Sequence, residues 1–145
     1  MWCHQLELAE SVCRVNAVET ELVTANLAFL YNEQGRYQEA LPLNQRILEI
    51  RERILGADHP ETISSITNLA FTYDHIGNYL QAEPLYEQAL KLSDQVLGID
   101  HPETATAVGN LALFYNSMGR YSDAEPLYLR AVAINEKARG TDHAA

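Results

Sequence analysis

Apolar side chains along this chain recur at helical rather than strand spacing. In the segment 60–76, Ile66, Leu69, Ala70 and Tyr73 fall on one face when successive residues are set about 100° apart. Ser64, Thr67, Phe71 and His75 fall opposite, with Asn68 and Asp74 flanking them. The first face must pack and the second is left to solvent or a ligand. The whole pattern then returns. Residues 56–97 reappear, 42 positions on, as residues 98–139. Shifted back by 42, Asn26, Leu27, Ala28, Phe29, Tyr31, Gly35, Tyr37 and Ala40 stand under Asn68, Leu69, Ala70, Phe71, Tyr73, Gly77, Tyr79 and Ala82. A fixed period of this length denotes stacked units, each burying its apolar face only against its neighbours.

The period predicts an all-α fold of about seven helices with no strand. Residues 1–14 keep the register, because Leu6, Leu8 and Val12 precede Leu48, Ile50 and Ile54 by one period; they read as the end of a preceding repeat's second helix. Repeat one occupies 16–55, with helices near 18–34 and 37–55. Repeat two occupies 58–97, with helices near 60–76 and 79–97, and repeat three 100–139, with helices near 102–118 and 121–139. Residues 140–145 read as the start of a truncated fourth repeat, and both ends look cut from a longer array.

Punctuation supports these boundaries. Gly35, Gly77 and Gly119 close the first helices, where a residue free to take positive φ is wanted. Asp58-His59-Pro60-Glu61 and Asp100-His101-Pro102-Glu103 open the next ones. Either Asp caps the helix with Glu as its capping-box partner, or His caps it with Pro at the first helical position. The residue before a proline avoids helical angles, which favours the histidine.

The positions that repeat carry a resemblance. Leu69, Ala70, Tyr73, Gly77, Tyr79, Ala82, Ala89 and Leu90, with Leu111, Ala112, Tyr115, Gly119, Tyr121, Ala124, Ala131 and Val132, are similar to the signature of the tetratricopeptide repeat. The 42-residue unit and its LGxDHPET junction resemble the kinesin light chain type. That resemblance implies a right-handed α-solenoid of antiparallel helix pairs, a superhelix whose first helices line a concave groove that binds peptides. It implies a protein–protein interaction module. The alternative is a structural spacer or sensor segment of a longer array attached to a signalling or motor-adaptor protein.

The outward face of the first helices supplies the candidate groove: Asn26, Phe29 and Glu33; Ser64, Thr67, Asn68, Phe71 and His75; Thr106, Asn110, Leu113 and Ser117. In related repeats the asparagine bonds the ligand's backbone, and an amide can donate and accept at once. The competing reading has it bonding a neighbouring helix. Phe29, Phe71 and Leu113 make an apolar row that serves as a recognition floor, packs on the neighbouring repeat, or does both. The tyrosines at 31, 73 and 115 and at 37, 79 and 121 read as core, with Tyr86 and Tyr128 near the outer edge. Leu127, Ala131, Ile134 and Ala138 read as the face that would receive a further repeat, leaving a mostly monomeric chain able to associate end to end.

Composition and charge narrow the function. The chain of 145 residues carries 10 Lys+Arg against 20 Asp+Glu, which argues against nucleic-acid or anionic-membrane partners. No apolar run reaches membrane-spanning length, and Cys3 and Cys13 read as free thiols of a cytoplasmic protein. All ten basic residues lie in second helices or their turns, and none lies in 15–34, 59–77 or 101–119, so a neutral or basic peptide is expected rather than an acidic one. His59, His101 and His143 repeat one period apart, a row that cannot converge on one ion, so no metal and no cofactor are expected. No phosphate loop, nucleophile elbow or HExxH motif occurs, and no enzyme is expected.

Overall fold

The computed structural model describes the backbone of residues 20–143 and the side chains of residues 20–140. The helix expected over 1–14, with both cysteines, lies outside the described residues. Six helices follow one another: α1 (20–33), α2 (Tyr37–Leu55), α3 (Pro60–Ile76), α4 (Tyr79–Val96), α5 (Pro102–Ser117) and α6 (Tyr121–His143). There is no strand among the described residues.

The histidine caps form as the proline argument requires. His59 and His101 hold extended backbone, and each Nδ1 accepts the backbone N–H of the glutamate two residues on, at 3.1 Å. Thr62 and Thr104, in the first turn, donate back to the carbonyls of Gly56 and Gly98 at 2.8 and 2.7 Å, which ties each helix start to the chain leading into it. At the other end Gly77 takes φ 94°, and its N–H and that of Asn78 both return to Tyr73 O. This closes the helix and reverses the chain within two residues.

The core runs through the stack rather than within any one helix pair. Ile66, Leu69 and Ala70 are buried, as are Val108, Leu111, Ala112 and Tyr115 one period later, so the packed face is the one the spacing predicts. Ala28, Ala40, Ala70, Ala82, Ala112 and Ala124 are all essentially inaccessible, and their small side chains let the paired helices approach closely. Ala70 and Ala82 join Tyr86, Leu111, Phe114, Tyr115 and Ala124 in one cluster that draws on α3, α4, α5 and α6.

Four expectations need correction. Tyr86 is not at an outer edge; it is buried in that cluster, 5.5 Å from Phe114 between ring centroids. Of the tyrosines read as core, Tyr79 and Tyr121 are exposed, because residues at this position pack forward onto the next repeat's first helix and not into their own pair. Tyr37 thus lies against Phe71 and His75, and Tyr79 against Phe114. Ile134 is buried, Leu127, Ala131 and Ala138 are half-buried, and the exposed large apolar groups of α6 are Tyr121, Leu129 and Val132. Finally, α6 does not end near residue 139. It runs through Gly140 to His143, because Ala144, unlike Pro60 and Pro102, does not push the preceding histidine out of helical angles.

Candidate functional site

Successive first helices stand side by side, and the spaces between them open on the face that the helical spacing leaves unpacked. A cavity of about 250 Å³ between α3 and α5 is lined by Ser64, Thr67, Asn68, Thr106 and Asn110, with Ser93 of α4 and Leu97, just past its end, beneath. A second, of about 440 Å³, lies toward the helices' C-terminal ends and is lined by Phe71, Asp74, His75, Tyr86, Asn110, Leu113, Asn116 and Ser117. A third, of about 80 Å³ between α1 and α3, touches Phe29, Asn32, Asn44, Arg51 and Asn68. Asn68 and Asn110 each belong to two of these spaces, so one asparagine marks each passage along the row. Asn26 and Glu33 are exposed on α1 but line none of the three cavities.

The side chains of Asn26, Asn68 and Asn110 make no hydrogen bond within the described residues. By contrast Ser64, Thr67 and Thr106 spend their hydroxyls on carbonyls four residues back in their own helices, at 3.1–3.3 Å. The amides therefore do not brace a neighbouring helix. They remain able to donate and accept toward the groove.

The apolar row divides its duties. Phe29 is 66 % exposed and Leu113 58 %, whereas Phe71 is 39 % exposed. Phe71 sits 3.9 Å from the His75 ring, and Tyr37 lies 4.7 Å from the same imidazole on the way in from α2. His75 also holds the carbonyl of Phe71 at 2.9 Å through Nδ1. A histidine that stands alone on a helical wheel is thus the middle of an aromatic stack.

Two features escaped the sequence reading. A second polar row, Asn32, Asp74 and Asn116, repeats one period apart and lines the same spaces. The amide oxygen of Asn32 is buried and accepts no hydrogen bond among the described residues. Loss of solvent raises the Asp74 carboxyl above its ordinary value, an effect opposed by the charge of His75 and by the Tyr86 hydroxyl, which donates to Asp74 Oδ2 at 3.4 Å. The spacing of 42 alone could have found this row. The other feature is Arg51. It reaches from α2 between α1 and α3, pairs with Glu21 Oε1 at 2.6 Å and donates to Ser65 Oγ and the Glu61 carbonyl at 2.7 and 3.0 Å. Its charge is spent on Glu21, so it adds no open cation to the groove.

Among the described residues no group of three or more His, Cys, Asp or Glu side chains is placed to hold a metal ion, and no helix is long and apolar enough to cross a membrane. The molecule is an all-α helical-repeat solenoid with a polar and apolar row on one face. The tetratricopeptide repeat family matches residues 19–95 and 63–137, and the chain belongs to that family. Repeats of this family generally mediate protein–protein interaction.

The fold is similar to that of a Podosopora anserina protein described as a kinesin light chain with nearly identical TPR-like repeats, at 29 % identity and a TM-score of 0.73, over 80 % of this chain and 55 % of that one. It is also similar to BtubC (BKLC) from P. vanneervenii, at 22 % identity and a TM-score of 0.75, over 92 % of this chain and 55 % of that one. The TPR domain of Arabidopsis FLU aligns at 16 % identity and a TM-score of 0.72, over 83 % of this chain and 98 % of that one. The last two likenesses concern the fold alone. The chain spans about half the length of the first two structures. No curated protein matches the sequence.

Proposed function

We propose that the chain binds an extended peptide or partner segment along the face formed by α1, α3 and α5, and that the segment is neutral or basic. The observation that carries this reading is the row of three side-chain amides, Asn26, Asn68 and Asn110, none of which is used within the described residues. An extended backbone presents N–H and C=O groups in alternation, and an amide answers both. Phe29, Phe71 and Leu113 would receive an apolar side chain from the segment, and the space between Asp74 and Asn116 would receive a basic one.

Charge selects against acidic segments. The groove helices carry Glu33 and Asp74 and no Lys or Arg, and Arg51, which reaches between α1 and α3, is already paired with Glu21. A carboxylate brought into this face would lose solvent without gaining a cation.

Fluorescence polarisation with matched acidic, neutral and basic peptide libraries tests the reading. Basic and neutral peptides bearing one large apolar residue are expected to bind. Asn68→Ala should weaken them all, and Asp74→Asn the basic ones alone. Preferential binding of acidic peptides would overturn the charge argument, and unchanged binding by Asn68→Ala would overturn the role of the amide row.

A further inference from the structure

Equivalent positions build the two junctions between first helices, yet the spaces they enclose differ in size. Between α1 and α3, the space touching Phe29, Asn32, Asn44 and Asn68 measures about 80 Å³. One period later, Phe71, Asp74, Tyr86 and Asn110 line a space of about 440 Å³ between α3 and α5. The tyrosine that enters from the second helix accounts for much of the difference. Tyr37 closes on Phe71 and His75, with centroids 6.1 and 4.7 Å away. At the next junction the positions of Phe71 and His75 hold Leu113 and Ser117, which have no ring to stack, and Tyr79 stays exposed.

Further exchanges change the chemistry of the larger space. Asn44 and Thr72, a hydrogen-bonded pair, give way to Tyr86 and Phe114, a buried aromatic floor. Asn32 gives way to Asp74. The rings of Phe71, Tyr79, Tyr86 and Phe114 thus surround one carboxylate, and no Lys or Arg lines the cavity among the described residues. Asp74 Oδ2 accepts the Tyr86 hydroxyl at 3.4 Å, while Oδ1 accepts no hydrogen bond among the described residues. Asn110 and Asn116 bring two further amides with no partner among those residues. His75 donates from Nδ1 to the Phe71 carbonyl at 2.9 Å, which leaves Nε2 of the neutral ring an acceptor.

The complement of such a space is a flat cation with several donors. Aromatic faces attract positive charge, and a cation taken from water needs an opposite charge beside it. A guanidinium meets both demands at once, because it stacks by its face while its edge donates to a carboxylate. It is also more weakly hydrated than an ammonium, which favours it where loss of solvent already raises the Asp74 carboxyl.

We infer that the cavity between α3 and α5 is an arginine pocket: the guanidinium of a partner segment pairs with Asp74, lies against Phe71 and Tyr79, and donates to the amide oxygens of Asn110 and Asn116. The inference rests on the reading that this face takes a basic segment, and it names the side chain that anchors it. The pocket occurs once in the described stack, because Asn32 and the 80 Å³ space beside it offer neither the charge nor the room.

Amide NMR of the full chain, titrated with N-acetyl-arginine methylamide, tests the pocket without a peptide. Saturable shifts at Asp74 and at the side-chain amides of Asn110 and Asn116 are expected below about 50 mM ligand. The lysine analogue should bind at least about fivefold more weakly, as should the arginine analogue to Asp74→Asn, and the neutral citrulline analogue should not bind. Leu113→Phe with Ser117→His rebuilds the closed arrangement of the preceding junction and should abolish the shifts. Fluorescence polarisation then uses basic library peptides remade with lysine or citrulline in place of arginine. Peptides that bind through Asn68 yet take lysine as well as arginine overturn the pocket and leave the groove standing. Binding of the arginine analogue with no binding of any peptide leaves the pocket standing and overturns the groove. An absence of shifts, equal shifts with all three analogues, or shifts unmoved by Asp74→Asn overturns the pocket outright.

Discussion

Between α2 and α3, the buried Asn44 amide donates from Nδ2 to the buried Thr72 hydroxyl at 2.8 Å. One period later, between α4 and α5, the same two positions hold Tyr86 and Phe114, a buried aromatic pair. The next position is used alike in both: Gln45 donates to the Tyr73 hydroxyl at 2.8 Å, and the Tyr115 hydroxyl donates to Glu87 at 3.0 Å. The solenoid thus fixes which positions meet, while the chemistry of the meeting differs from junction to junction. Partners at such a position must match one another. An amide facing a phenyl ring would be left unsatisfied, and a tyrosine facing a threonine would leave a gap.

Truncation should separate the two junctions most strongly. Phe114→Ala removes the ring around which Tyr79, Tyr86 and Tyr115 pack and should cost about 3–5 kcal/mol in urea denaturation. Leu69→Ala, at the packed face of α3, should cost about 2–5 kcal/mol. Asn44→Ala should cost less, about 1–3 kcal/mol, since it deletes one buried hydrogen bond and a smaller volume. A larger loss for Asn44→Ala than for Phe114→Ala would reverse the ranking of the junctions.

Exchange sharpens the comparison. Thr72→Phe alone brings a ring against Asn44 and should destabilise by about 1–3 kcal/mol through overpacking. Adding Asn44→Tyr rebuilds the aromatic pair. The double variant should therefore be more stable than the sum of the singles by about 0.5–3 kcal/mol. Strict additivity would show that the two positions do not sense each other.

Alkali should also distinguish them. Burial is the main cause that raises both phenols of the aromatic junction, with Asp74 adding to it at Tyr86 and Glu87 at Tyr115, whose value is pushed from 10.0 up to about 12. The fold favours the neutral phenols, so the unfolded chain gives up these protons first. Stability is whole below pH 10.0 and falls as pH rises toward about 12. Tyr115→Phe should flatten that decline, as followed by circular dichroism at fixed urea, whereas Asn44→Ala should leave its slope unchanged.

The smallest effect belongs to Asp74. Its folded value is raised above 3.8, so the fold prefers the protonated acid, and its contribution is complete below 3.8 and lost as pH climbs through the raised value. Asp74→Asn should accordingly be neutral in acid and slightly stabilising at neutral pH. The reverse order would mean that a cation holds Asp74 in the folded chain.

Much of this molecule is written in its sequence because the governing forces are local or periodic. The DHPE junctions place the His59 and His101 caps, since proline excludes the preceding residue from helical angles and the cap bond spans two residues. The helical wheel finds Ile66, Leu69, Ala70, Val108, Leu111 and Ala112, since a side chain's face depends only on its own helix. A wheel does not say which neighbour lies opposite. The seating of Tyr37 on His75, the depth of Tyr86, the reach of Arg51 to Glu21 and the cavities shared by Asn68 and Asn110 depend on how one helix pair is set against the next. That setting comes from the packing of whole surfaces, which no spacing within a single helix encodes.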